Sequence, residues 1–133
     1  MYLLDTNVVS ELRRRKPHGA VVTWFREVPE EALFISAVTI GEIQRGVQIT
    51  AEQDAEKARM LSDWLDQLIG TFHILPMDAI TFQVWAQLNH RKSNTVSEDA
   101  MIAATALVNR LAVVTRNVRD FEAFDVEIVN PFI

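Results

Sequence analysis

Five short apolar runs punctuate this chain: MYLL at its start, then ALFIS (32–36), FHIL (72–75), LAVVT (111–115) and VEIV (126–129). Each is too short for a stable helix and suits a strand buried on both faces. The stretches between them carry a helical period instead. Residues 38–49 place Ile40, Ile43 and Val47 on one face, and 52–70 repeat the pattern with Leu61, Trp64, Leu65 and Leu68. Residues 78–92 do so with Phe82, Trp85 and Leu88, and 97–110 with Ile102, Ala106 and Leu107. Strands that alternate with helices cannot be joined as hairpins, because a parallel crossover needs a helix-length connection. The pattern therefore predicts an α/β sandwich, a mainly parallel sheet of four to five strands covered by helices, as a single domain over residues 1–133.

An open α/β sheet gathers ligands beyond the carboxyl ends of its strands, so the polar residues there are the candidates for function. The first run leads straight into Asp5, Thr6 and Asn7 without a turn. A carboxylate at the end of a core strand is costly unless it caps a helix, finds a partner or binds something. Three other places match it. Glu42 lies early in the helix after ALFIS, Asp99 opens the helix that starts near Ser97, and Asn117 and Asp120 follow LAVVT. Each has an ordinary explanation: Asp5 and Asp120 as caps, Asp99 as a favourable charge at a helix N-terminus, Glu42 as a solvated side chain. Those explanations lose force together, since all of them would have to apply at one end of one sheet.

Clustered carboxylates repel one another unless a cation joins them. Oxygen donors favour Mg²⁺ or Mn²⁺, and with no cysteine in the chain there is no thiolate to favour zinc. His18, His73 and His90 fall outside these segments and read as surface or packing residues. The three tryptophans, Trp24, Trp64 and Trp85, sit at helical spacing among other apolar residues, which suits packing better than base stacking.

The formal net charge of −5 argues against a protein that coats nucleic acid non-specifically, although the basic run RRRK (Arg13 to Lys16) can meet phosphate beside an acidic pocket. That run also reads as a solvated helix end. No apolar run reaches the ~18 residues of a membrane helix, and no secretion signal is evident, so a cytoplasmic location is expected.

Taken in register, LLDTNVVSEL, ISAVTIGEIQRGV around Glu42, EDAMIAATAL around Asp99 and VVTRNVRDF resemble the PIN-domain ribonuclease toxins of the VapC family, in their FitB-like style. The resemblance spans the whole chain. It implies Mg²⁺- or Mn²⁺-dependent RNA cleavage, a homodimer, and neutralisation by a VapB-like antitoxin that alone contacts operator DNA. It also implies that Asp5, Glu42 and Asp99 form the acidic core of the site, with Thr6 and Thr115 orienting carboxylates. Some relatives carry an acid directly after TR, where this chain has Asn117, and others place one at the position of Asp120. Charge balance favours Asp120 as the fourth carboxylate, with Asn117 in support.

Two other readings compete. An aspartate-nucleophile phosphohydrolase also opens on an apolar strand ending in Asp, but it needs a second acid two residues on, where this chain has Asn7. It needs a lysine near the phosphate as well, and Lys16, Lys57 and Lys92 lie on helical or loop segments. A catalytically silent module of the same fold is disfavoured by the intact Asp5, Glu42 and Asp99.

Overall fold

The computed structural model describes residues 1–90 and 97–133. All five apolar runs are strands: β1 (Tyr2–Leu4), β2 (Leu33–Ser36), β3 (His73–Leu75), β4 (Ala112–Val114) and β5 (Ile128–Val129). They form one parallel sheet in the order β3-β2-β1-β4-β5. The chain adds strands outward from β1 in one direction, then returns to add β4 and β5 on its other side. That reversal puts the switch point of the sheet between β1 and β4, where crevices form.

Side-chain alternation along the strands divides the core into two layers. Leu4, Leu33, Ile35 and Val114 point to one face, where they meet Val8 and Val9 of α1 (Thr6–Glu11) and Val21 of α2 (Gly19–Glu27). Ile43 of α3 (Ala37–Ala51) and Leu65 and Leu68 of α4 (Ala55–Thr71) complete that layer. Leu3 and Val113 point the other way, onto Ala100, Ile102, Ala103 and Ala106 of α6 (Ser97–Asn109) and onto Phe121 and Phe124. Trp85 and Leu88 of α5 (Ala79–Asn89) pack against this second layer. The short α7 (Val118–Phe121) follows β4.

Helix starts are set by local chemistry. Ser36 Oγ accepts from Val38 N–H (3.1 Å), Asp54 from Lys57 N–H (3.0 Å) and Asp78 from Thr81 N–H (3.0 Å), which satisfies amides that would otherwise be orphaned. In α6 alanine sets the approach. Ala100, Ala103, Ala104 and Ala106 are all fully buried, so the helix backbone lies close to the sheet and its first turn is held at the sheet edge.

Several expectations shift in detail. Glu42, expected early in its helix, lies in the second turn of α3. Phe82 and Leu107, expected on buried stripes, are 43% and 37% exposed; buried Thr81 and Thr105 take inward positions on α5 and α6 instead. Arg13 to Lys16 form an exposed turn after α1, while Lys57 lies in α4. The end of the helix expected over 78–92, with Lys92, lies outside the described residues. Trp24, Trp64 and Trp85 all pack against the cores, and Trp24 also meets Tyr2 edge-on at 5.1 Å.

Candidate active site

Asp5 sits where β1 becomes α1. Its backbone N–H still donates to Val114 O (2.9 Å), continuing the β1–β4 ladder, while its carbonyl already accepts from Val8 and Val9. The side chain is 4% exposed and caps α1, with Oδ1 accepting from Thr6 N–H (2.8 Å). The other oxygen, Oδ2, accepts from Asn7 Nδ2 (2.9 Å) and from Thr115 Oγ1 (2.8 Å). Capping and site-building are therefore not alternatives here: one oxygen does each.

Thr115, fully buried at the end of β4, also accepts from Asn117 N–H (2.9 Å). Asn7 Oδ1 accepts from Arg116 N–H (3.1 Å), so a single amide side chain clips the Thr115–Asn117 segment to Asp5. Thr6 works in the opposite direction. Its hydroxyl donates to Glu42 Oε1 (2.9 Å) and lies 3.0 Å from Thr39 Oγ1, which fixes Glu42 relative to α1.

Asp99 occupies the first turn of α6 and is partly buried. Among the described residues no hydrogen-bond donor reaches its carboxylate. Burial, then the charges of Asp5, Asp120, Glu42 and Glu98, push it up to about 7. Asp5 is likewise raised by burial, with Asp120 adding to the push and Thr115, Thr6 and Asn7 opposing it. Glu42 is raised by burial and by the charges of Asp5 and Glu98, against the Thr6 hydroxyl.

Asp120 and Asn117 are both exposed, one helical turn apart, with Asp120 N–H donating to Asn117 O (3.1 Å). Asp120 enters the site through its field on Asp5 and Asp99. Asn117 contributes its backbone N–H to Thr115, and its side chain makes no capping bond.

Three carboxyl groups, Asp5, Glu42 and Asp99, are held above their ordinary range. Among the described residues no Lys, Arg or His forms an ion pair with Asp5, Glu42 or Asp99. The carboxylates of Asp5, Glu42, Asp99 and Asp120 offer oxygen donors of the kind a hard ion prefers. Among the described residues no three acids stand close enough to ligate one ion in common. Mutual repulsion of uncompensated carboxylates favours that separation.

Sequence reasoning gave Asn7 and Glu98 no role in the site and passed over Thr39. Thr39 stands one turn before Glu42 on the same helix, a spacing visible in the sequence. The role of Asn7 depends on a partner across the sheet and left no local sign.

The PIN domain family model matches residues 2–127. Toxin FitB of Neisseria gonorrhoeae is 36% identical over 140 residues, covering 99% of each chain. The VapC ribonuclease Y4jK of Sinorhizobium fredii is 34% identical over 142 residues, covering 99% of this chain and 98% of that protein. A solved structure of FitAB bound to an IR36 DNA fragment superposes with a TM-score of 0.87 at 34% identity, covering 100% of this chain and 96% of that one. With a parallel sheet, an acidic carboxyl-end edge and relatives that align end to end, this chain belongs to the PIN-domain family, among the VapC and FitB toxins.

Proposed function

We propose that this protein is a Mg²⁺- or Mn²⁺-dependent endoribonuclease that acts as the toxin of a toxin–antitoxin pair. The observation that carries this reading is that Asp5, Glu42 and Asp99 stand at one edge of the sheet within reach of each other's charge, with no cationic side chain among the described residues paired to them. When bound, a divalent ion supplies Lewis-acid polarisation of a phosphoryl oxygen and lowers the pKa of water for in-line attack.

The chain's own residues supply position and charge. Asp5 is locked by three donors on two elements, so its carboxylate presents a fixed direction to the cleft. Thr6 couples that direction to Glu42. Asp99 is the adjustable member: without a counter-charge it holds a proton near neutral pH, and it ionises once positive charge is nearby. Asp120 deepens the negative field, and Asn117 holds Thr115 in place through its backbone.

The partner reading rests on the relatives. FitB is named a toxin, Y4jK a ribonuclease, and FitAB is a complex on DNA. An antitoxin is expected to plug the acidic cleft with an arginine, which pairs bidentately with carboxylates. It is also expected to provide the DNA-reading surface that a chain of net charge −5 lacks. A second copy can cover the exposed apolar side chains Ile80 and Phe82 of α5 in a homodimer. No helix among the described residues is long and apolar enough to cross a membrane.

The test is cleavage of total RNA by the purified chain with Mg²⁺ or Mn²⁺, read by sequencing the new ends. EDTA, Asp5→Asn and Asp99→Asn should each abolish it, and both variants should relieve growth arrest at equal expression. Cleavage that survives EDTA, or arrest undiminished in both variants, would overturn the reading.

A further inference from the structure

The basic run Arg13 to Lys16 is not absorbed by the carboxylate site, yet it stands at its border. Arg13 lines a cleft of about 320 Å³ together with Thr6 and Glu42. It also lines a second cleft, of about 410 Å³, with Ile49 and Lys57. Arg13 and Leu61 line both, so the two clefts adjoin and together flank α3 from Glu42 to Thr50. From Glu42 to Thr50 the groove runs roughly 12 Å at 1.5 Å per residue. That is the length of about three to four nucleotide steps at ~3.4 Å per step.

The loop is held rather than trailing. Glu11, 6% exposed, accepts from His18 N–H (2.9 Å) at the far end of the loop and from Arg14 Nη1 (3.4 Å) within it. His18 also packs edge-on against Phe132 (5.4 Å). Arg14 is thereby engaged with Glu11, while Arg13, Arg15 and Lys16 have no acidic partner among the described residues. Three unpaired cations on a latched turn, in a chain of net charge −5, present a local field opposite to that of the whole molecule. No aromatic side chain lines either cleft, so base stacking is not what the groove offers.

We propose that the Arg13–Lys16 loop is a phosphate-binding lip, and that single-stranded RNA runs from the carboxylate site along the α3–α4 groove with its backbone on Arg13 and Lys57 and with exposed Arg15 beside the groove on the same loop. This deepens the nuclease reading and rests on it for the identity of the ligand. Recognition along the groove is through charge and shape, which leaves little sequence preference on that side of the cut.

The test uses anisotropy of a fluorescein-labelled single-stranded RNA of mixed sequence, in Mg²⁺, on an Asp99→Asn background so that the probe survives. Arg13→Gln/Arg15→Gln is compared with a charge-matched control, Arg26→Gln/Arg59→Gln, and with Arg13→Lys/Arg15→Lys. Losing two phosphate contacts should weaken binding roughly 10- to 25-fold at 0.1 M salt and flatten the slope of log K against log salt by about 1.4. The control should leave the slope in place, the lysine variant should keep most of the binding, and with cleavage restored the glutamine variant should raise KM. Equal losses in the glutamine variant and the control would reduce the effect to net charge and overturn the lip. So would unchanged RNA binding alongside weakened capture of a protein partner, which would give the groove to that partner. Parallel cleavage by the wild-type chain separates the two readings. Intact cleavage with loop-independent binding sinks only the lip, and loop-dependent binding without any cleavage sinks only the nuclease.

Discussion

Asp99→Asn offers the most direct reading of the charge stored in this site. The folded carboxyl titrates at about 7 against an ordinary value of 3.8, because it is partly buried among Asp5, Asp120, Glu42 and Glu98. A raised acid favours the fold while protonated. The native state therefore binds the extra proton between about pH 4 and pH 7, and stability falls as pH rises through that window. The shift corresponds to about 4 kcal/mol without screening; partial exposure and solvent reduce it to a working figure of ~2 kcal/mol. Asparagine keeps the shape and cannot ionise. In EDTA, urea unfolding of wild type and Asp99→Asn should coincide near pH 4, and the variant should be ~2 kcal/mol more stable at pH 8. For a chain of this size that gap is roughly 5–8 °C in Tm. Saturating Mg²⁺ should close it by stabilising the ionised wild-type site, since a ligand of the native state adds stability by mass action. A difference between the two proteins that stays flat from pH 4 to pH 8, or Mg²⁺ stabilising both equally, would refute the reasoning.

Three more perturbations probe the partners of that charge. Thr115→Val removes the hydroxyl 2.8 Å from Asp5 and leaves a nearly buried carboxylate one donor short; we expect a loss of about 1–3 kcal/mol in urea melts at pH 7, with Thr115→Ser restoring most of it. Asn7→Asp replaces the amide donor 2.9 Å from Asp5 by a second acid, so in EDTA the variant should lose more stability than wild type between pH 5 and pH 8, and matching pH profiles would contradict the geometry. Asp120→Asn should leave melting in EDTA nearly unchanged while raising the Mg²⁺ needed for half-maximal cleavage, and Asn117→Ala should slow cleavage more modestly. Wild-type metal dependence in Asp120→Asn beside an inactive Asn117→Ala would reverse those assignments.

The fold was legible because its signals are local. Each strand is a run of apolar residues with no helical period, and each crossover is a helix whose inward face repeats every three to four residues. The errors fall where a face is decided by a neighbour. Phe82 and Leu107 continue apolar stripes in the sequence, but the second core is filled by Trp85, Leu88 and the alanines of α6, and the two side chains are left outside. Burial of α6 was poorly marked for a related reason. Alanine has little hydrophobic surface to announce an inward face, and its value here lies in how closely it lets the helix approach the sheet.

Site legibility divides along the same line. Asp5, Glu42 and Asp99 each belong to a strand–helix junction or an early helical turn, so topology alone brings them to one edge. What topology does not dictate is how a carboxylate with 4% exposure tolerates its place. The answer is a lattice of uncharged donors, Thr6, Asn7 and Thr115, whose members lie up to 110 residues from the acid they serve. Such donors lower the cost of burying the charge without cancelling it, and Asp5 remains raised despite all three. A salt bridge in their place would have neutralised the cluster and closed it to any other cation. Neutral donors fix the direction of the acid and leave its charge available. The choice of threonine and asparagine over lysine or arginine around Asp5 therefore fixes its direction without adding a counter-charge, and it is a choice that composition and periodicity do not reveal.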